Sequence, residues 1–146
     1  MLVRLMYASR AVPAVDADEL HAILRLSKAA NPKHGITGVL CLCAEQRIFM
    51  QVLEGGREAV NRLYNRIAAD ARHTEVTLLG YQEIGERRFA GWAMGQVNMA
   101  RLNPALLLKY SETASLDPYA VSGAASMALF DELVATASVM GEQRGG

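Results

Sequence analysis

The sequence predicts an α+β fold: a ferredoxin-like β-α-β-β-α-β-β sheet with two helices on one face and two C-terminal helices on the other. Three observations predict it. Apolar residues recur with the strand period of two and the helix period of 3.6 in that order along the chain. The third strand is apolar on both faces, Phe49, Gln51 and Leu53 on one and Ile48, Met50 and Val52 on the other, so it needs cover on two sides. Asn103-Pro104 and Asp117-Pro118 are helix starts of the cap-then-proline kind, and their helices supply either the second cover or a subunit interface.

Bulk composition narrows the function classes. At 146 residues the chain is expected to form one compact unit. Fifteen basic residues balance fifteen acidic ones, so no net field draws it to nucleic acid or to anionic lipid. The longest apolar run, residues 36–44, is too short for a membrane span, and the N-terminus lacks the pattern of a secretory signal. Two cysteines make no disulfide framework, so a cytoplasmic location is expected. Cys41 and Cys43 share one strand face and read as small core residues.

Residues 2–8 predict the first strand, with Val3, Leu5 and Tyr7 on one face. A loop containing Pro13 follows, and Asp16 or Asp18 caps a helix over about 18–30. Leu20, Ile23 and Leu24 form its buried stripe, which continues to Ser27 and Asn31 before Pro32 stops the helix. Those two polar residues have two readings: helix-end capping and self-bonding, or the polar edge of a ligand. Residues 36–43 and 47–53 predict a hairpin turning at 44–46. Gln51 lies in its most apolar part, where an unsatisfied carboxamide costs about 1–3 kcal/mol.

Residues 57–71 predict the second helix, with Val60, Leu63, Tyr64, Ile67 and Ala71 as its stripe and Arg62 and Arg66 along its flank. An arginine there either holds a phosphate or belongs to a solvated face. Residues 75–83 and 89–98 predict the fourth and fifth strands, the latter placing Trp92, Met94 and Gln96 at one parity. After Asn103-Pro104 comes a helix over about 105–110. A last helix is expected from Asp117-Pro118 to about residue 141, carrying Tyr119, Met127, Phe130, Leu133, Val134 and Ala137, with a loose tail at 142–146. His21, His34 and His73 have no metal-ligand spacing.

Several separated motifs then converge: LVRLMYAS with Tyr7, SKAANPKHGITG with Ser27 and Asn31, FMQVLEG with Gln51, YNRIAAD with Arg66, and FAGWAMG with Trp92 and Met94. In this order, over about residues 1–100, the sequence resembles the BLUF family of blue-light sensors that hold FAD non-covalently. The resemblance implies a flavin-binding domain at 1–100 and a helical extension at 101–146 within the same compact unit. It implies that Asn31 bonds the pyrimidine edge of the flavin with support from Ser27, that Ile36 packs the ring and that Arg66 reaches the ribose and phosphate. Tyr7 and Gln51 become the photoactive pair, and Trp92 and Met94 belong to the switch strand. Ala30 departs from the family pattern, in which several relatives carry a polar residue.

The chemistry behind this pair is direct: a phenol can give up an electron and a proton, and an amide both accepts and donates. The resemblance implies light-driven electron and proton transfer from Tyr7 through Gln51, rotation or tautomerisation of the amide, and a red-shifted absorption. It further implies a non-enzymatic sensor, a homo-oligomer, and a separate downstream partner such as a response regulator-like protein or a cyclic-dinucleotide enzyme. Two other readings stand beside it: a light-independent flavin-binding redox protein, and a ferredoxin-like binding module. The binding module gives no reason for Tyr7, Asn31 and Gln51 together.

Overall fold

A computed structural model describes residues 1–43, 45–97, 102–136 and 139–140. The chain runs β1 (Leu2–Ala11), α1 (Ala17–Ala30), a 3-10 turn (Asn31–His34), β2 (Thr37–Cys43), β3 (Ile48–Gly56), α2 (Arg57–Ala69) and β4 (His73–Ile84). It continues with β5 (Gly95–Val97), α3 (Pro104–Tyr110), α4 (Gly123–Ala135) and β6 (Val139–Met140). The sheet order is β4-β1-β3-β2-β5-β6. Only the β2–β5 contact is parallel, so the ferredoxin-like core of four antiparallel strands is extended into a mixed sheet.

The strictly alternating residues of β1 and β3 sort into two cores. Val3, Leu5, Tyr7, Phe49 and Leu53 join Leu20, Ile23 and Leu24 of α1 and Val60 of α2. Met6, Ala8, Met50 and Val52 join Leu107 of α3 and Leu129, Phe130 and Leu133 of α4. The apolar double face of β3 is therefore covered as its sequence demands. Two close approaches require glycine. A Cβ on Gly38 (φ 155°) would stand 1.9 Å from the Val52 carbonyl oxygen, and one on Gly123 would stand 1.8 Å from that of Leu79.

Caps explain the helix starts. The Asp16 carboxylate accepts the Glu19 N–H at 2.8 Å, and the Asn103 amide oxygen accepts the Ala105 N–H at 3.0 Å. Other expectations are corrected. Asp117-Pro118 does not start the last helix, because the Asp117 carboxylate accepts the Tyr119 N–H at 3.0 Å in a turn; α4 begins after Ser122, whose hydroxyl accepts the Ala125 N–H. Tyr119 thus leaves the helical stripe and instead donates its hydroxyl to the Glu75 carbonyl, beneath the guanidinium of Arg10. The helix ends at Ala135 rather than near 141, and Val139–Met140 pairs with β5 as a strand. Helix α2 likewise stops at Ala69, which leaves Ala71 exposed in the turn before β4.

The fifth strand is much shorter than residues 89–98. Its predicted first half is a connection, because the Glu54 carboxylate takes the N–H groups of Arg88 and Phe89 and the Phe89 carbonyl takes that of Trp92. Without continuous strand geometry the shared parity is lost: Trp92 packs on the core under α3 and α4, and Met94 packs on the core under α1 and α2. Ala44, Asn98, Ala137 and the 142–146 tail lie outside the described residues.

Candidate functional site

Between α1, α2 and the sheet lies a cavity of about 360 Å³, within the range of small-molecule sites. Strand β1 contributes Tyr7, and β3 contributes Phe49 and Gln51 from alternate positions. Helix α1 and the turn after it contribute Ile23, Ser27 and Asn31, while Ile36 lies just before β2. Helix α2 contributes Leu63, Arg66 and Ile67. Six of the eight sequence-predicted residues, Tyr7, Ser27, Asn31, Ile36, Gln51 and Arg66, therefore surround one space. Met94 touches that set from behind, through Gln51, and Trp92 is on the opposite side of the sheet.

Tyr7 and Gln51 face each other across directly paired strands. The Tyr7 hydroxyl donates to Gln51 Oε1 at 2.6 Å, and Gln51 Nε2 donates to Met94 Sδ at 3.3 Å. The amide, 2% exposed, thus bridges a strong hydrogen bond and a weak sulfur one. Burial pushes the Tyr7 phenol far above its ordinary value, with the neighbouring Tyr64 phenol adding to the shift; their ring centroids are 5.7 Å apart. Tyr7 therefore holds its proton at neutral pH.

The main chain of Asn31 takes the helix-end reading, and its side chain leaves the ligand reading open. Its main-chain N–H closes α1 onto the Ser27 carbonyl, and its own carbonyl accepts the Ile36 N–H at 3.0 Å. The side chain is left over: it is 4% exposed, and Nδ2 has no partner. A buried N–H donor without an acceptor, on the wall of a cavity, asks for a ligand oxygen there. Pro32 and the left-handed Gly35 (φ 71°) hold the turn that fixes this geometry.

The cavity wall also carries charged and polar groups. Arg62 and Arg66 are two of them, with no hydrogen bond or ion pair to any described residue. Asp70 and Arg72 pair at 2.6 Å, and the Arg72 guanidinium holds the Asp70 carboxyl down at about 2. Ser9, fully buried, is 2.9 Å from His73 Nδ1, whose imidazole is pushed down by burial and lies tilted against the Phe49 ring with centroids 5.1 Å apart. Periodicity and motifs do not single out Asp70, Arg72 or His73. The Asp-x-Arg spacing directly after an amphipathic helix is the one local sign of that turn.

These donors can be tested against the flavin that the sequence resemblance implies. Apolar walls from Ile23, Ile36, Leu63 and Ile67 suit a flat ring, and the orphan Asn31 donor suits a ring carbonyl. Arg62 and Arg66, unpaired among the described residues, suit a phosphate-bearing tail. The residues present fit the group. Among the described residues no cluster of three or more His, Cys, Asp or Glu side chains could hold a metal, and no helix is long and apolar enough to cross a membrane.

Known proteins carry the same design. Residues 2–95 match the family described as BLUF, sensors of blue light using FAD. The photoactivated adenylate cyclase subunit beta of Euglena gracilis is 38% identical over 86 residues, 59% of this chain and 10% of that protein. The chain spans about a tenth of the length of the curated relatives it matches. A structure described as the photo-activated state of BlsA superposes with a TM-score of 0.77 at 29% identity, covering 100% of both chains. Klebsiella pneumoniae BlrP1, solved with FMN and cyclic diGMP, gives a TM-score of 0.63 at 32% identity, covering 72% of this chain and 28% of its own. With the match spanning β1 to the start of β5 and the fold and cavity in agreement with it, the chain belongs to the BLUF family of blue-light sensors.

Proposed function

We propose that this chain is a blue-light photoreceptor that binds FAD non-covalently and uses Tyr7 and Gln51 as its photoactive pair. The observation that carries the reading is the Tyr7–Gln51–Met94 chain of hydrogen bonds at the cavity wall. Asn31 and Ser27 hold the polar edge of the ring, Ile36 its flat side, and Arg66 the ribose and phosphate part, with Arg62 beside it.

Bound FAD supplies the absorption of blue light and, once excited, the acceptor for an electron and a proton. The protein's part lies in its own atoms. Tyr7 keeps its proton on Oη until light arrives and is aligned to pass it to Gln51 Oε1 over 2.6 Å. Its electron leaves with the proton, and both return to the phenol, so the protein is chemically unchanged at the end of the cycle. What survives is the amide, rotated or tautomerised, which no longer gives Nε2 to Met94 Sδ. The bond it forsakes is a sulfur contact and is easily lost.

Loss of that contact frees the segment that carries Met94 and Trp92. Strand β5 is three residues long and pairs with β2 at Val39–Gly95 and Leu40–Gln96 and with the two-residue β6 at Gln96–Met140 and Val97–Val139, so its displacement breaks short ladders only. The signal then passes to residues 101–146 as a shift between two populations and on to a separate partner. Relatives named as photoactivated adenylate cyclase, or solved with cyclic diGMP, favour a nucleotide-signalling enzyme as that partner, with a response regulator-like protein as the alternative. The same reading includes a homo-oligomer. Size-exclusion chromatography and co-purification, each in the dark and under blue light, test both points.

The decisive measurement is spectroscopic. Purified protein should carry FAD, shift its absorption to longer wavelength under blue light, and recover in the dark. Chromatography of the released flavin separates FAD from FMN. Bound flavin without a reversible shift would support a redox protein, and failure to take up any flavin would support a plain binding module.

A further inference from the structure

Among the described residues Glu54 is the only buried carboxylate, at 0% exposure, and it lies outside the cavity. Its Oε2 accepts Arg4 Nε at 2.8 Å, pairs with Arg4 Nη2 at 2.7 Å and takes the Arg88 N–H at 3.0 Å. Its Oε1 takes the Phe89 N–H at 2.6 Å. An ion pair with Arg4 alone would leave Oε1 without a partner; the main-chain N–H groups complete the set. Both belong to the connection between β4 and β5, whose other end is Met94. Thr37 reinforces the same place, accepting Arg87 Nη1 at 3.0 Å.

Glu54 and Gln51 sit three residues apart on β3 and so face opposite sides of the sheet. One strand therefore holds both ends of the connection: Glu54 the start, at 88–89, and Gln51 the finish, at Met94. Trp92 is tied between them, its carbonyl accepting the Gly38 N–H at 3.0 Å. From the pinned start, the Arg88 guanidinium reaches Asp131 of α4 at 2.7 Å.

We propose that Glu54 is a positioning residue for the light switch: it pins residues 88–89 as a pivot, so that Met94 stays within reach of Gln51 after the amide turns away. The inference rests on the photoreceptor reading above. A pinned pivot keeps the effective concentration of the Met94 sulfur at Gln51 high, which speeds the return to the dark arrangement. Without the pivot the connection wanders and the lit state persists. The cavity contacts are untouched, so the size of the red shift is not altered.

The test compares dark recovery of the red shift in FAD-loaded wild type, E54Q, M94L and M94L/E54Q. E54Q should keep the wild-type shift and slow recovery by about fivefold or more, as expected for weakening charge-assisted hydrogen bonds at the pivot. In M94L the substitution at Glu54 should have no further effect, because the pivot acts through Met94. If stranding the Arg4 charge prevents E54Q from folding, the variant R4M/E54Q replaces it, since it removes both charges together. A purely structural Glu54 would lower the melting temperature and leave recovery unchanged. Unchanged or faster recovery in the folded variant, or equal slowing with and without Met94, overturns the pivot. Absence of any red shift in the wild type would instead overturn the reading on which it rests.

Discussion

The two faces of β3 are built from neighbouring residues and end in opposite states. Met50 and Val52 enter a core that α3 and α4 fill with Leu107, Leu129, Phe130 and Leu133. Phe49, Gln51 and Leu53 enter a core that α1 and α2 leave open by about 360 Å³. Each face also has an orphan polar atom, Asn31 Nδ2 on one and Ser126 Oγ on the other. The contrast shows when such an orphan is informative. Ser126 does not line that cavity and, as a helical serine, has main-chain carbonyls of its own turn within reach. Asn31 borders empty space with a donor that no described residue satisfies, so an external acceptor is the economical explanation.

The largest expected effect breaks the open face chemically without disturbing its packing. Tyr7→Phe should still bind FAD, because the ring stays in the wall, yet should lose the light-induced red shift completely. Absorption spectra before and after illumination decide this, and a normal photocycle in the variant would sink the Tyr7–Gln51 mechanism. Gln51→Leu should abolish the normal shift in the same assay.

Next in size is the filled face. Phe130→Ala removes a fully buried ring from it and should destabilise the protein by about 3–5 kcal/mol in urea unfolding. The flavin spectrum of the remaining folded fraction should match the wild type. A changed dark spectrum in that variant would show that the two faces are mechanically one.

This division was largely legible in the sequence, and the physical reasons differ by residue. Strands β1 to β3 announce themselves because local alternation dictates which core each residue enters. Asn31 is visible because Pro32 must end the helix beside it. By contrast, the connection before β5 escapes a local reading: the Glu54 carboxylate that captures the Arg88 and Phe89 N–H groups lies more than thirty residues away in sequence. Asp117-Pro118 misleads for a related reason, since the same carboxylate that caps a helix also closes a turn, and the helix start falls instead at the Ser122 cap, where Gly123 fits closely against Leu79. The Asp70–Arg72–His73 part of the cavity wall was hidden because its residues come together in a turn with no period to betray it.

A smaller effect compares the two orphans directly. Asn31→Ala should weaken FAD binding by about tenfold, the value of one lost hydrogen bond to a buried acceptor. The stability of the flavin-free protein should change by no more than about 0.5 kcal/mol, since Nδ2 loses no protein partner. Ser126→Ala should be equally mild for stability and should leave FAD affinity alone. Isothermal titration of FAD into the flavin-free variants, paired with urea melts, reads both quantities. If Ser126→Ala weakened FAD binding as much as Asn31→Ala, empty space beside the orphan would not be the deciding feature.

The smallest effect concerns pH, and again it separates the faces. The three histidines are His21, His34 and His73, so residues 102–136, which cover the filled face, carry none. His34 and His73 line the cavity. Burial pushes the His73 imidazole below its ordinary 6.5, so the folded protein resists a proton that the unfolded chain accepts. The stability this contributes is present above 6.5 and is lost as pH falls through the lower folded value. Asp70 acts in the same direction much further down, keeping its contribution above 3.8 and losing it as pH falls through about 2. Between pH 7 and 5, then, the melting temperature of the flavin-free protein should fall, and the slope should flatten in His73→Asn, whose amide can still meet Ser9 without taking up a proton. An unchanged slope in that variant would remove His73 from the account.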